Sequence, residues 1–326
     1  MSYFYCSRYR FYHKSARRTL IFFLISDIHF SNKVSSEKLY AITKQAQQLE
    51  PNYILIPGDL IDSLDAIDDK NEFDRLTNWL MQLGEIAPTF ICLGNHDFYR
   101  KNPAYNNILS KEHRWLSEKN QHFINTVDKI DNVKLLDNQS YKDHNVYIFG
   151  FTQSPAYFRF DQDKRCSSTI FRPGSEKLDV MLSDLENIDQ KLISKLPKHK
   201  IKIALIHSPV FLTNPKIAAK LCEFDFLISG HMHNGVVPPI INDFWRSDRG
   251  LIAPGKKLFP HGSRTKIRSS HDKIITLGAV STLQASVAKP INLMNGIYPI
   301  NIASLELSRS QNLIRKPDVQ YQYLSP

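Results

Sequence analysis

The stretch FICLGNHDFYR, residues 90–100, is the part of the sequence that decides the fold. Its apolar run ends at Gly94, and the next three positions are polar: Asn95, His96 and Asp97. Short apolar runs of this kind are typical of the buried strands of α/β proteins. Residues that follow such a strand lie at the edge of the sheet where ligands bind. The stretch therefore predicts a strand that delivers polar side chains to a site.

Composition restricts the class of protein and the kind of partner. The chain has 326 residues, of which 42% are hydrophobic, which is enough for a large core. Its four cysteines are scattered singly, so we expect neither a disulfide framework nor a cysteine zinc site, and a reducing, cytoplasmic compartment is favoured. The formal net charge of +10 favours anionic partners such as phosphate esters, nucleic acid or an anionic membrane surface.

Short apolar runs alternate with amphipathic segments from residue 20 to about residue 229, which is the pattern of an α/β domain. The runs predicted as buried strands are 20–26, 53–57, 89–93, 146–150, 201–206 and 226–229. Helical spacing of apolar residues predicts amphipathic helices around 39–49, 73–83 and 178–188. Further strands are predicted near 250–253, 274–278 and 299–306, which give the domain a β-rich C-terminal finish.

We expect residues 20–326 to form a single domain, because no internal stretch has the composition of a linker. Residues 1–19 are predicted to be a basic, aromatic N-terminal tail, since cations and aromatic residues are interleaved there. A tail of that composition suits contact with an anionic bilayer surface, although a frayed terminus explains it as well.

Five of the predicted strands end in polar residues at the same edge of the sheet. These residues are Asp27, His29, Asp59, Asn95, His96, Asp97, His207, His231 and His233. Carboxylates, imidazoles and one amide oxygen form a mixed donor set that suits Mn²⁺, Fe or Zn²⁺ better than Mg²⁺ or Ca²⁺. The residues are too many for one ion, and two ions about 3.5–4 Å apart require a bridging carboxylate.

Each of these short motifs alone has an ordinary explanation. Asp-x-His and Gly-Asp are common in turns, and a single histidine at a strand end is usually a hydrogen-bonded, half-buried residue. All five in order, each at a strand end, favour a dinuclear metal site. Gly58, Gly94 and Gly230 directly precede the polar residues and allow the chain to turn and approach closely.

In this order the motifs resemble those of the calcineurin-like metallophosphoesterases, from residue 20 to about residue 235. The resemblance implies an α/β fold, a four-layer αββα sandwich, and hydrolysis of phosphoric esters at a dinuclear metal centre. It implies that Asp59 bridges two ions, the first held by Asp27, His29 and His233 and the second by Asn95, His207 and His231. His96 would face the scissile phosphate and protonate the leaving oxygen, with Asp97 fixing the orientation of its ring.

Within that family the chain looks most similar to bacterial members that act as phosphodiesterases at the membrane periphery. We therefore expect a Mn²⁺-dependent phosphodiesterase or pyrophosphatase in the cytoplasm or at the inner face of the membrane, with a membrane-associated or nucleotide-type substrate. A nuclease or a cyclic-nucleotide phosphodiesterase is the alternative enzyme.

Two functions other than catalysis are compatible with parts of the sequence. A non-catalytic scaffold of this fold is a different class, but the presence of every predicted ligand and of His96 argues against it. A nucleic-acid-binding module fits the charge, yet the sequence has no helix-turn-helix, RNP-like or zinc-finger pattern.

Overall fold

The computed structural model describes most of the first half of the chain and several parts of the second half. The described residues are 3–98, 118–153, 196–208, 223–231, 274–277, 300–309 and 318–323, with the single positions 183, 186, 221 and 280. Strands within these residues form two sheets, one of seven strands and one of five.

The larger sheet brings the two ends of the described chain together. Its strands are β1 (Tyr3–Tyr12), β2 (Leu20–Leu24), β3 (Tyr53–Pro57), β4 (Thr89–Cys92), β5 (Val133–Leu135), β11 (Ile300–Ser308) and β12 (Asp318–Tyr323). They are arranged in the order β12-β1-β11-β2-β3-β4-β5. Strands β2 to β5 run parallel, so their carboxyl ends share one edge of the sheet.

The smaller sheet has the order β10-β9-β8-β7-β6. Its strands are β6 (Gln139–Lys142), β7 (Val146–Phe151), β8 (Ile201–Ile206), β9 (Phe226–Ser229) and β10 (Ile274–Thr276). Strands β7 to β10 are parallel and β6 is an antiparallel edge strand. Every side chain of β9 is buried, as are those of β7, which explains their continuous apolar sequences.

Three helices are described: α1 (Ser36–Leu49), α2 (Lys70–Ile86) and α3 (Glu118–Val127). Ser35 caps α1 by accepting a hydrogen bond from the Lys38 amide, and Asp69 caps α2 in the same way. The Trp79 indole N–H donates to Thr43 Oγ1 and so joins α2 to α1. None of the helices in the described part of the chain is both long and apolar enough to cross a membrane.

The larger sheet has a hydrophobic core on each of its faces. Between the sheets lie Phe22, Leu55, Phe90, Ile148, Ile203, Ile228 and Leu305, among others. On the other face the helices pack through residues such as Ile42, Leu76, Leu80, Phe123 and Val127. The predicted α/β sandwich is confirmed, and the helical layer expected over the smaller sheet falls outside the described residues.

The sequence pattern located the central strands to within two residues at either end. The predicted strands near 274–278 and 299–306 are β10 and β11, and the first two predicted helices are α1 and α2. The helix predicted around 178–188 lies almost wholly outside the described residues, and the strand predicted near 250–253 lies entirely outside them. Strands β5, β6 and β12 and helix α3 were not predicted, since they are short or weakly apolar.

The segment predicted as an N-terminal tail is largely a strand. Residues Tyr3–Tyr12 form β1, which lies between β11 and β12 and is parallel to β11. Tyr9 and Phe11 pack on the core between the sheets, and the Phe11 and Phe226 rings lie 5.4 Å apart. Arg10 occupies the opposite face and pairs with Glu306 at 2.9 Å. The alternation of cations and aromatics is therefore that of a strand with one buried face.

Because Leu305 of β11 is fully buried between the sheets, Leu305→Ala is expected to lower the free energy of unfolding by about 2–5 kcal/mol. Urea denaturation followed by circular dichroism measures this loss. The control is Met81→Ala on α2, where the side chain is 45% exposed, and it should change stability by less than about 0.5 kcal/mol. Equal effects of the two substitutions would mean that the Leu305 side chain is not buried in the core between the sheets.

Candidate metal centre

The loops that follow β2 and β3 run side by side and carry the first three predicted ligands. The Asp27 amide donates to the Gly58 carbonyl at 3.2 Å, and the His29 amide donates to the Asp59 carbonyl at 3.1 Å. These bonds extend the pairing of the two parallel strands beyond their ends. Asp27, His29 and Asp59 are consequently fixed next to each other by backbone contacts.

Four of the predicted ligands have a backbone conformation that residues other than glycine rarely adopt. The φ angles are 53° for Asp27, 47° for His29, 52° for Asp59 and 67° for His231. A residue held in such a region costs on the order of 1–3 kcal/mol, and such residues cluster at functional sites. The surrounding fold therefore maintains a strained arrangement that places these four side chains together.

Two glycines make room for the site. Gly58 has a φ of +90°, and a Cβ atom there would lie 2.5 Å from His207 Nδ1. A Cβ atom on Gly94 would lie 2.3 Å from Asp59 Oδ1. Both distances are too short for non-bonded atoms, so a larger residue would not fit at either position. The glycines therefore allow His207 and Asp59 to pack against the backbone at these two points.

The described ligands form two groups that share Asp59. His207 Nε2 lies 3.1 Å from Asp59 Oδ2, 3.2 Å from Asn95 Oδ1 and 3.2 Å from His231 Nδ1. Asp27, His29 and Asp59 form the second group, whose donor atoms lie within 4.8 Å of one another. Asp59 occupies the position that the sequence analysis gives to a bridging carboxylate.

The donor atoms of the first group fit a cation. The Pro57 carbonyl can only accept a hydrogen bond, and it lies 2.8 Å from His207 Nδ1, so this nitrogen carries a proton. In the neutral ring, Nε2 then directs a lone pair at the oxygens of Asp59 and Asn95. Asp59 Oδ2 is itself buried without a hydrogen-bond partner. A cation at this point would satisfy all three atoms, as metal-bound histidine and carboxylate groups do.

The charges of the site are costly to bury without a cation. Burial, together with the nearby charge of Asp59, raises the pKa of Asp27 to about 6, despite the lowering effect of His207. Burial favours a protonated Asp59, but His207, His96 and His29 outweigh it and hold the pKa of Asp59 well below its usual value. Burial lowers the pKa of His207, whereas Asp59 and Asp27 raise it to about 9. Divalent ions would relieve this repulsion among carboxylates.

A further acidic residue, Asp62, belongs to the site and was not predicted from the sequence. Its side chain is buried, with Oδ1 3.9 Å from His29 Nδ1, and its backbone carbonyl lies 2.7 Å from His96 Nδ1. Asp62, His29 and His96 form a third group of potential ligands. The signal was the spacing in GDLID, where Asp62 follows Asp59 by three residues just after a strand.

Asp97 makes backbone contacts that the resemblance did not imply. Its carboxylate accepts hydrogen bonds from the amides of Asp59 at 3.0 Å, Ile61 at 3.0 Å and Gly94 at 2.7 Å. Burial and the charge of Asp59 raise the pKa of Asp97 to about 7, although these amides oppose the shift. The Nδ1 atom of His96 lies 2.7 Å from the Asp62 carbonyl oxygen, and the effect of Asp97 on the His96 ring stays a prediction. Asp97 fixes the two ligand-bearing loops after β3 and β4.

The solvent-facing side of the site is formed by three of the predicted residues. Asp27, Asp59 and His207 are fully buried, whereas Asn95, His96 and His231 are half-buried. The His96 ring packs edge-on against His29, with the ring centroids 4.5 Å apart. His233, predicted as a ligand of the first ion, lies outside the described residues.

Asp97→Asn tests whether this residue holds the loops or only orients His96. The Asn side chain accepts hydrogen bonds only at its oxygen, and its NH2 group cannot accept one. At least one of the three buried backbone N–H groups therefore loses its acceptor, and stability should fall by about 1–3 kcal/mol. The measurement is urea denaturation in the presence of a chelator, and the control is Asp74→Asn at an exposed position of α2. Unchanged stability with reduced activity would support the orienting role instead.

Comparisons with known proteins show what the chain is similar to. A metallophosphoesterase of Campylobacter jejuni is 24% identical over 229 residues, which cover 69% of this chain and 47% of that protein. A metallophosphoesterase of Helicobacter pylori is 24% identical over 219 residues, covering 66% and 45%. The chain thus spans a little under half the length of these two relatives.

The solved structure of a dimetal phosphatase from Danio rerio is 14% identical and covers 67% of this chain and 83% of that one, with a TM-score of 0.40. A similarity this low supports no inference about this chain. The family model described as calcineurin-like phosphoesterase matches residues 20–235, about two thirds of the sequence. With this match, the chain belongs to the calcineurin-like phosphoesterase family.

Proposed function

We propose that this protein is a phosphodiesterase or pyrophosphatase that uses two divalent metal ions and acts on a membrane-associated or nucleotide-type substrate. The observation that carries the proposal is the convergence of two ligand groups on the buried carboxylate of Asp59. Membership of the family implies phosphoric ester hydrolysis at a dinuclear centre, and the proposal adds the type of ester.

The ligands divide between the ions according to the two groups. Asp27 and His29, with His233 as a further proposed ligand, would hold one ion, and Asn95, His207 and His231 would hold the other. The mixture of imidazole and carboxylate donors supports Mn²⁺, with Fe or Zn²⁺ as alternatives. When bound, such ions supply Lewis acidity and positive charge at the phosphate.

His96 is the residue that we propose for proton transfer. Its Nδ1 faces the Asp62 carbonyl, which can only accept, so Nδ1 keeps its proton and Nε2 is the atom at which a proton is gained or lost. The ring is half-buried at the solvent-facing side of the ligand cluster, where a substrate can reach it. An alkoxide or phosphate leaving group needs a proton as its bond to phosphorus breaks, and a histidine supplies one near neutral pH.

The backbone around His96 restrains its position before substrate binds. The His96 amide donates to Asp59 Oδ1 at 2.8 Å, so the proposed acid and the proposed bridging ligand are directly connected. Asp97 also accepts a hydrogen bond from the Asp59 amide. One hydrogen-bond network therefore fixes the positions of the proposed proton donor and the proposed bridging carboxylate relative to each other. Such restraint favours catalysis, since positioned groups need not reorganise during the reaction.

The protein should lose hydrolytic activity when it is stripped with a chelator and regain it when Mn²⁺ is added back. The substrates for this test are bis-p-nitrophenyl phosphate, a diester, and p-nitrophenyl phosphate, a monoester. We expect the diester to be cleaved faster, and lipid-linked and nucleotide diesters then identify the substrate class. Faster cleavage of the monoester would contradict the diester proposal, and no cleavage of either by metal-loaded protein would favour a scaffold.

His96→Asn and Asp59→Asn should have different effects. His96→Asn is expected to retain both ions and to lower the turnover rate 100-fold or more, which is about 2.7 kcal/mol or more at 1.36 kcal/mol per tenfold. Asp59→Asn is expected to lose metal, because the shared ligand loses its charge. Metal content by mass spectrometry and turnover at saturating Mn²⁺ separate the two, with the exposed His144→Asn as control. Full activity of His96→Asn would refute its assigned role.

A further inference from the structure

The end of the two sheets opposite the metal centre carries a concentration of positive charge. We define this basal face by the loops 13–19, 142–145 and 196–200 and by Arg309, which follows β11. Its exposed cations are Lys14, Arg17, Arg18, Lys142, Lys198 and Arg309. Glu223, beside these loops, is an exposed acid, and further exposed acids, Glu50, Asp128 and Asp131, lie at the same end of the larger sheet, before β3 and β5 and outside the basal face.

Direct contacts show that these separate loops belong to one face. His13 Nε2 lies 3.3 Å from Asp225 Oδ2, which also accepts a hydrogen bond from the Lys202 amide at 2.8 Å. The first loop of the larger sheet is thereby joined to the starts of β9 and β8. Asp225 and His13 are both largely buried, so this contact lies inside the protein and not on its surface.

A second set of contacts joins the remaining loops. The Tyr53 hydroxyl donates to Asp143 Oδ2 at 2.5 Å, which connects the start of β3 to the turn between β6 and β7. Lys200 Nζ donates to the Asp143 carbonyl and adds the loop before β8. Asp143 also accepts bonds from the amides of Asn145 and Val146. Its carboxylate is therefore engaged within the protein and does not pair with the exposed cations.

Strand direction places this face far from the metal centre. Lys14, Arg17 and Arg18 directly precede β2, whereas Asp27 and His29 follow it. With a rise of about 3.3 Å per residue, the five residues of β2 and the turns at its ends separate the two regions by roughly 20 Å. These cations therefore cannot contribute to binding substrate phosphates at the site.

We propose that the basal face docks the protein onto an anionic lipid bilayer. The cations come from several loops spread over the ends of both sheets, as suits a flat partner, and each cation near an anionic bilayer adds to binding. Tyr12, at the end of β1 beside Lys14, is 39% exposed and can rest at the level of the lipid headgroups. Within the described residues of this face no helix is present to enter a nucleic-acid groove, so a bilayer is favoured over DNA or RNA.

Docking in this orientation has a consequence for the substrate. The metal centre lies on the side of the molecule away from the lipid, so substrates approach it from water. Among the proposed substrate types, this orientation favours nucleotide-type esters over lipids of the docked bilayer. Only this choice of substrate type rests on the proposed function. The docking itself requires neither metal nor catalysis.

The test is sedimentation of the full chain, in chelator, with vesicles of phosphatidylcholine alone or mixed with phosphatidylglycerol. We expect binding to the mixed vesicles only, and weaker binding as salt rises. The triple variant Lys14→Glu, Arg17→Glu, Arg18→Glu should bind the mixed vesicles about 100-fold less tightly, because each cation contributes roughly fivefold. The matched control is Lys33→Glu, Lys44→Glu, Lys70→Glu, exposed lysines away from the basal face that give the same change in net charge.

Two further readouts distinguish the outcomes. Both triple variants should retain the melting temperature of the parent chain and its metal-dependent cleavage of a soluble diester, since the substituted residues are exposed and lie outside the site. Equal loss of vesicle binding in both variants would show a nonspecific effect of net charge and overturn the proposal. Absence of binding to anionic vesicles by the parent chain, with tight binding to duplex DNA or RNA, would overturn it in favour of a nucleic-acid partner.

Discussion

Asp59 is buried among other acids and imidazoles, and the loops of the site are built around its carboxylate. Its Oδ2 atom has no hydrogen-bond partner, yet it lies 3.1 Å from His207 Nε2 and 3.7 Å from His29 Nε2. A carboxylate buried beside another acid is costly unless histidines or metal ions balance its charge. The strained backbones of the ligands and the absence of a Cβ atom at Gly58 and Gly94 allow the ligands to come together around Asp59.

The fold can hold Asp59 in this unfavourable environment because the strands around the site are buried on both faces. Parallel strands β2, β3 and β4 are covered by helices on one side and by the smaller sheet on the other. Their carboxyl ends are therefore rigidly placed, and the loops continue their hydrogen-bond pattern as far as His29 and Asp59. The chemistry is held by short segments immediately after strands, where a small change in the core would move a ligand.

Much of this could be predicted from the sequence, because it depends on local signals. Apolar runs ending in polar residues gave the positions of the central strands, and the residue types gave the donor set. The role of Asp97 could not be predicted, since its partners are backbone amides of Asp59 and Ile61, which are invisible in a side-chain pattern. The alternation of cations and aromatics in β1 fits a strand with one buried face but was interpreted as a tail, because its partner β11 lies almost the whole chain away and no local signal reveals the pairing.

The two ends of the sheets have different chemical characters. Acids and histidines gather at the carboxyl ends of the strands, whereas the basal face at the opposite end exposes cations and turns Asp143 and Asp225 inward. The net charge of the chain therefore does not describe either surface. A catalytic function and a docking function can be carried by the same domain without sharing residues.

We propose that Asp59 is shared by two metal ions. Anomalous diffraction from crystals grown with Mn²⁺ tests it most directly, because the peaks locate each ion independently of the protein coordinates. If two ions share Asp59, two peaks appear about 3.5–4 Å apart with an Asp59 oxygen between them. A single peak, or two peaks of which only one lies within bonding distance of Asp59, would contradict it.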